Sequence, residues 1–180
     1  MKKPRELNLP NAITLLRIAA LPLCVYFLFK NGGHDSTWRI VAWWLFFIVG
    51  MTDFLDGKLA RSRGSVTEFG KLLDPIADKA LIGTAMIGLS LLGDLPWWIT
   101  VVILTREIGI TIVRLLVISG GVIAANRGGK IKTMVTSFGV GFYVLPLKES
   151  FFIYRDIFMY LGVAITLVTG ASYLVALRKR

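Results

Sequence analysis

Six apolar runs occupy most of this 180-residue chain, and they constrain its fold more than any other feature. Hydrophobic residues make up 55% of the sequence and charged residues only 18%, a balance too apolar for an ordinary soluble domain. A membrane-spanning helix needs roughly 20 apolar residues. The sequence therefore predicts an all-α polytopic membrane protein with six transmembrane helices in a lipid bilayer. The runs cover Ala12–Phe29, Ile40–Thr52, Ile76–Leu92, Leu95–Ile118, Thr133–Leu147 and Ile157–Leu177.

Two of these runs need a more specific prediction. The second is too short to span a bilayer alone, so we expect its helix to continue through Asp53 and Asp56 towards Ala60. The first contains Arg17, and we expect an N-terminal interfacial amphipathic segment that bends into the membrane near Pro22. The alternative is an arginine that snorkels from a simple span. Six spans leave no room for a separate soluble domain, so residues 1–180 are predicted to form a single membrane domain.

The basic residues predict the orientation of the chain. They gather before the first run, between the second and third, between the fourth and fifth, and at the C-terminus. Because cytoplasmic connections carry the excess of Lys and Arg, both termini are predicted to be cytoplasmic. The net charge of +10 is dispersed among apolar runs, so anionic lipid is a better partner than nucleic acid, and no nucleic-acid binding is expected.

Four aspartates flank the basic connection between the second and third runs. Asp53 and Asp56 are three residues apart, and Asp74 and Asp78 are four apart, so each pair shares one face of its helix. Four carboxylates converging at membrane depth need a compensating cation. Carboxylate oxygens suit magnesium or manganese, whereas zinc usually recruits His or Cys. The sequence therefore predicts a metal site held by all four aspartates and open to the cytoplasm.

Two alternatives stay open for these aspartates. Asp74 precedes Pro75, which is also the pattern of a helix N-cap followed by proline in the first turn. An aspartate pair in a membrane helix is also typical of an ion or proton pathway, which would make the protein a transporter. A transporter, however, would carry its carboxylates near the midplane in two repeated halves. No such repeat is visible in the sequence.

Basic side chains predict phosphate binding at two places. Arg61 lies beside the small residues Gly57 and Ala60, where a diphosphate has room to approach metal ions. A second group, predicted to bind another phosphate, comes from the fourth run and the loop that follows it. The simpler alternative is that the first arginine of this group pairs with Glu107 or an aspartate to maintain packing. The group consists of Arg106, Arg114, Lys130 and Lys132.

The pattern D-x-x-D-G-x-x-A-R-x8-G-x3-D-x3-D is filled without exception from Asp53 to Asp78. It resembles the signature of the CDP-alcohol phosphotransferase family. The resemblance implies a homodimer that transfers a phosphate-linked group from a CDP-linked donor to an alcohol and releases CMP. It also implies roles for the residues of the motif. The metal ligands are Asp53, Asp56 and Asp74, with Asp78 as both ligand and general base, and the CDP-binding residues are Gly57, Ala60, Arg61 and Thr67.

Stretches outside the motif, including T-R-E-I-G-I-T-I-V-R and G-G-K-I-K-T, are similar to bacterial family members that use glycerol 3-phosphate. The resemblance therefore implies CDP-diacylglycerol as donor, sn-glycerol 3-phosphate as acceptor, two Mg²⁺ or Mn²⁺ ions, and the bacterial inner membrane. Thr136 departs from that pattern, because glutamine is frequent at its position. A CMP-forming cardiolipin synthase, which takes phosphatidylglycerol as acceptor, is the alternative within the family.

Overall fold

The computed structural model describes residues 9–62, 68–117 and 127–178. Within these ranges the chain forms six α-helices and no strand, so the predicted all-α class is confirmed. Each apolar run coincides with one helix, although the boundaries differ by several residues. The helices are α1 (Leu9–Phe29), α2 (Ser36–Ser62), α3 (Glu68–Leu91), α4 (Trp97–Val117), α5 (Arg127–Val144) and α6 (Phe152–Arg178).

Two segments of the described chain are long and apolar enough to cross a membrane by length and composition. They are Asn11–Gly33 and Glu149–Tyr173, and Ser36–Thr52 is a shorter apolar helix. The structure thus has apolar helices of the kind that a membrane protein needs, while the number of six spans stays a prediction. α1 continues through Pro22 as one helix. The interfacial position of its first turns stays a prediction.

The helices extend beyond the apolar runs where the neighbouring turns are polar. α3 begins at Glu68, well before the run that starts at Ile76, and α5 begins at Arg127. The prediction that Lys130 and Lys132 lie in a loop is therefore wrong, because both belong to α5. Hydropathy marks only the apolar part of a helix, whereas the backbone hydrogen bonds that define the helix continue through polar residues.

The chain divides into two compact units. Unit 1 comprises Met1–Gly88 with Val144–Pro146, and unit 2 comprises Leu89–Tyr143 with Leu147–Arg180. The single membrane domain predicted over residues 1–180 remains a prediction.

In unit 1, α1 packs along α2, and both contact α3 through a small apolar cluster. Leu21 and Cys24 of α1, Val49 of α2 and Leu81 of α3 form its buried centre. Cys24 is fully buried and packs as a small hydrophobic residue. The cluster fixes the side of α2 and of α3 that faces the interior of the unit.

A tight turn joins α1 to α2. Asn31 and Gly32 have positive φ angles of 54° and 78°, and this conformation suits glycine and asparagine best. Asp35 then caps α2, because its Oδ1 accepts hydrogen bonds from the backbone N–H of Thr37 at 2.9 Å and of Trp38 at 3.3 Å. The turn is thereby held close to the first turn of α2.

In unit 2, α4 packs against α6. Ile99 and Ile103 of α4 and Met159 of α6 are buried, and Gly139 of α5 leaves room for Met159. The hydroxyls of Ser90 and Thr100 lie 2.7 Å apart in the interior, across the connection that leads into α4. A buried polar group needs such a partner, because an unpaired one costs about 1–3 kcal/mol.

Candidate active site

The four aspartates of the motif belong to two helices of unit 1. α2 continues past its apolar part to Ser62 and therefore includes Asp53 and Asp56, so the predicted continuation of this helix is confirmed. α3 begins at Glu68 and includes Asp74 and Asp78. The side chain of Asp78 is half-buried, while those of the other three lie outside the described residues.

The N-cap interpretation of Asp74 is wrong. A capping residue precedes the first helical residue, whereas α3 starts at Glu68, six residues before Asp74. Pro75 likewise lies inside the helix rather than in its first turn. Capping of a helix end therefore does not account for Asp74. The metal-ligand interpretation of the motif remains a prediction.

Packing brings α2 and α3 together close to the aspartate positions. Val49 and Leu81 belong to the same buried cluster, and a Cβ atom at Gly50 would lie only 3.5 Å from Leu81 Cδ2. Asp53 follows Val49 by one helical turn, and Asp78 precedes Leu81 by about one turn. The backbone positions of Asp53 and Asp78 consequently lie at a similar level, about 4.5–6 Å along each helix from this contact.

The donor chemistry fits a divalent metal ion. Carboxylate oxygens are the ligands that Mg²⁺ and Mn²⁺ prefer, and the motif supplies them from two helices of one unit. Among the side chains that the structure describes, no group of three or more His, Cys, Asp or Glu residues could hold a metal ion. Three of the four predicted ligands fall outside that set, so the metal site stays a prediction.

The predicted CDP-binding residues follow the first aspartate pair. Gly57, Ala60 and Arg61 lie in the last turns of α2, with side chains outside the described part, and Thr67 lies outside the described residues altogether. The structure therefore gives their position on the chain but does not test their contacts.

Two of the four predicted acceptor-binding residues come together in unit 2. Lys132 of α5 donates to Glu107 Oε1, and Arg106 of α4 donates from Nη1 to the same oxygen over 2.9 Å. Lys132 is nearly fully buried, with 6% of its side chain exposed. Arg114 and Lys130 lie in α4 and α5, but their side chains are not among those described.

The pairing of Arg106 with Glu107, which the sequence offered as the simpler alternative, is thus present. Two cations share one carboxylate in this group, which we call the Glu107 cluster (Arg106, Glu107 and Lys132), and the formal charges of its three side chains sum to +1. A cationic group that is partly shielded from water attracts an anion more strongly than an exposed one does. Pairing and phosphate binding are therefore compatible at this place.

Sequence reasoning missed one contact of the cluster. Arg106 donates from Nη2 to Thr169 Oγ1 of α6 over 2.9 Å. A Cβ atom at the next residue, Gly170, would lie 3.3 Å from Arg106 Nε, so the glycine leaves room for the guanidinium. The small residue in an apolar helix was the only available signal of this close approach.

Comparison with known proteins defines the class of the protein. The family model for CDP-alcohol phosphatidyltransferases matches residues 7–168. The chain therefore belongs to the CDP-alcohol phosphatidyltransferase family, as the aspartate motif predicted, and it is a phosphatidyltransferase enzyme. This result excludes the transporter alternative. Members of this family generally use divalent metal ions.

Relatives narrow the comparison further. A "Probable phosphatidylglycerophosphate synthase" of Mycobacterium tuberculosis is 50% identical over 171 residues, covering 95% of this chain and 82% of the relative. A CDP-diacylglycerol–glycerol-3-phosphate 3-phosphatidyltransferase of Bacillus subtilis is 38% identical over 179 residues, covering 92% of this chain and 93% of the relative. A CMP-forming cardiolipin synthase of Streptomyces coelicolor is 35% identical over 106 residues, or 57% of this chain and 48% of the relative. Together with the apolar helices, these bacterial relatives indicate a membrane-associated bacterial protein.

Proposed function

We propose that the protein transfers the phosphatidyl group of CDP-diacylglycerol to sn-glycerol 3-phosphate, giving phosphatidylglycerol phosphate and CMP. The observation that carries this proposal is the extent of the similarity. The Bacillus subtilis enzyme named for this reaction matches over more than nine-tenths of both chains. The cardiolipin synthase matches over little more than half of this chain.

The metal ions in this proposal are Mg²⁺ or Mn²⁺, two per site, held by Asp53, Asp56, Asp74 and Asp78. When bound, two such ions neutralise the diphosphate of the donor and stabilise the entering and leaving oxygens of an in-line displacement. The support is the all-carboxylate donor set on α2 and α3 together with the general metal use of the family.

In the chemical step, Asp78 takes the proton of the acceptor's primary hydroxyl as general base. The hydroxyl oxygen forms a bond to the lipid-side phosphorus while the bond from that phosphorus to the CMP oxygen breaks. Arg61 stabilises the charge on the departing CMP, and Gly57, Ala60 and Thr67 line the nucleotide. Because the reactants are held in line, positioning and electrostatics supply most of the rate enhancement.

The acceptor phosphate is held by Arg106, Arg114, Lys130 and Lys132 in this proposal. The supporting observation is that Arg106 and Lys132 already meet at one carboxylate, so two of the four cationic side chains lie close together. A phosphorylated acceptor needs such a group, whereas phosphatidylglycerol, the acceptor of the cardiolipin synthase reaction, needs less of it.

We also propose the arrangement in the membrane. The six helices span the inner membrane of a bacterium, the start of α1 lies in the interface, and both termini and the active site face the cytoplasm. Residues 1–180 act as a single domain, and two copies form a homodimer. The basic connections between helices support the orientation. The dimer rests on the family resemblance alone.

The decisive experiment measures CMP release by the purified protein with Mg²⁺ and CDP-diacylglycerol. Glycerol 3-phosphate, phosphatidylglycerol, serine and inositol phosphate are offered in turn. We expect CMP only with glycerol 3-phosphate. The lipid product should be phosphatidylglycerol phosphate, which carries one phosphate more than phosphatidylglycerol. Release with phosphatidylglycerol instead would identify a cardiolipin synthase, and no release with any acceptor would refute the proposed reaction.

A further inference from the structure

We infer that Glu107 is a positioning residue, which holds Arg106 and Lys132 at the places where they bind the phosphate of the acceptor. The inference rests on the proposed function for the identity of the acceptor. It assigns a role to an acidic residue inside a site that has to bind an anion, where a negative charge would at first be expected to weaken binding.

The geometry of the Glu107 cluster supports this role. One oxygen, Glu107 Oε1, accepts from Arg106 of its own helix and from Lys132 of α5. Because these contacts come from two helices, the carboxylate ties α4 to α5 at this level. Arg106 is also fixed at its other terminal nitrogen, Nη2, by Thr169. The plane of the guanidinium is therefore defined before any ligand arrives.

Burial explains why a carboxylate is needed at this position. Lys132 exposes only 6% of its side chain and Arg106 only 17%, so neither charge can be solvated fully by water. Without an anion between them, two neighbouring cations in such surroundings would repel each other. Glu107 supplies that anion, because its Oε1 pairs with both cations. Side chains that are already ordered also lose less conformational entropy when the phosphate binds.

The test compares purified full-length wild type with Glu107→Gln, which keeps the shape of the side chain and removes its charge. Rates of CMP release are measured at increasing concentrations of glycerol 3-phosphate with saturating CDP-diacylglycerol. They are then measured at increasing concentrations of CDP-diacylglycerol with saturating glycerol 3-phosphate. We expect the KM for glycerol 3-phosphate to rise about tenfold, the equivalent of one charge-assisted contact. The KM for CDP-diacylglycerol and kcat should stay within about twofold of wild type.

Asp156→Asn is the matched control. This substitution also removes one negative charge from unit 2. The Asp156 carboxylate resembles that of Glu107 in accepting hydrogen bonds from a cation, Arg155 at 3.0 Å, and from a second side chain, the Tyr143 hydroxyl at 2.6 Å. Asp156 lies 13 residues before Thr169 on α6, or about 20 Å along the helix. Both KM values of this variant should stay within about twofold of wild type.

The outcomes separate the inference from the proposed function. A lower or unchanged KM for glycerol 3-phosphate in Glu107→Gln would overturn the positioning role, because the carboxylate would then compete with the phosphate or have no effect on it. If Glu107→Gln does not fold, Glu107→Asp replaces it, since it keeps the charge and retracts the carboxylate by one methylene. Its KM for glycerol 3-phosphate should rise about threefold, and an unchanged value would again overturn the role. Wild-type protein without glycerol-3-phosphate-dependent CMP release would overturn the proposed function and the inference together.

Discussion

Arg106 Nη2 donates a hydrogen bond of 2.9 Å to Thr169 Oγ1, and this bond joins α4 to α6. The Thr169 hydroxyl itself donates to the carbonyl oxygen of Ile165 at 2.7 Å, so its orientation is fixed by its own helix. An arginine inside an apolar helix is thus held from two sides, by Glu107 and by α6. Two helices of unit 2, α4 and α6, consequently determine where this guanidinium lies.

This contact predicts the effect of Thr169→Val, which keeps the shape of the side chain but removes the acceptor. Arg106 loses one fixed nitrogen, and we expect the KM for glycerol 3-phosphate to rise about threefold to tenfold with kcat nearly unchanged. The control is Ser172→Ala, which removes an exposed hydroxyl that donates to Val168 O at 2.8 Å on the same helix. Equal KM values in the two variants would contradict a role of Thr169 in holding Arg106.

Gly88 of α3 predicts a difference in stability between two similar substitutions. A Cβ atom at Gly88 would lie 2.8 Å from Leu28 Cδ2 and 3.3 Å from Phe29 Cε2, whereas one at Gly109 would meet nothing within 4 Å in the described part of the chain. Leu28 is fully buried and has little room to move. We expect Gly88→Ala to be less stable than Gly109→Ala by about 1–3 kcal/mol, measured by unfolding in detergent. If Gly88→Ala were more stable than Gly109→Ala, Leu28 and Phe29 of α1 would be able to move away from the added methyl group at little cost.

The cap of α2 predicts a dependence of stability on pH. The hydrogen bond from the Asn31 side chain and those from the backbone of Trp38 and Thr37 lower the pKa of Asp35 from its ordinary value. A carboxyl with a lowered pKa stabilises the fold above its unfolded-state pKa, and this stabilisation is lost as the pH falls through the folded-state value. Asp35→Ala should therefore lower the Tm at pH 7.

The same difference in Tm should shrink as the pH falls below the ordinary aspartate pKa of about 3.9. Asp35→Asn serves as the control, because asparagine also caps helices well but does not titrate in this range. It should stay close to wild type at pH 7. A difference between wild type and Asp35→Ala that persists unchanged at low pH would show that ionisation of Asp35 does not contribute.

The proposed metal site predicts that EDTA abolishes CMP release and that added Mg²⁺ restores it. Asp53→Asn should first raise the Mg²⁺ concentration needed for half-maximal rate, because a ligand is lost. Asp78→Asn should lower kcat by about 10²-fold or more even at saturating Mg²⁺, since general-base catalysis contributes roughly that much. Near-normal turnover of Asp78→Asn would remove the assignment of the base.

The sequence predicted the helices better than their ends. Six apolar runs identified six helices, and the shortness of the second run correctly implied that α2 continues through the first aspartate pair. α5 begins earlier than the sequence predicts, because its first turns are polar and carry no hydrophobic period. For the same reason the sequence predicts a loop at Lys130 and Lys132, which lie in α5.

The sequence could predict only those parts of the site whose residues lie close together along the chain or are unusual in an apolar helix. The motif brought together residues that are close along the chain, and the basic group was recognised because arginines in apolar helices are rare. Thr169, by contrast, is 63 residues from Arg106, and a threonine in an apolar helix is unremarkable. The contact of Lys132 with Glu107 depends on how α5 packs against α4, which hydropathy does not encode.

The continuity of α2 has a consequence for how the enzyme tolerates change. Its apolar part, Ser36–Thr52, and its aspartates belong to one helix that runs to Ser62 without a break. Removing a single residue near Thr52 would turn the positions of Asp53 and Asp56 by about 100° and shift them by about 1.5 Å, with no loop between to absorb the change. The distance and angle between the apolar part of α2 and the proposed aspartate ligands are therefore set by the number of residues between them, so we expect insertions and deletions here to be more damaging than substitutions.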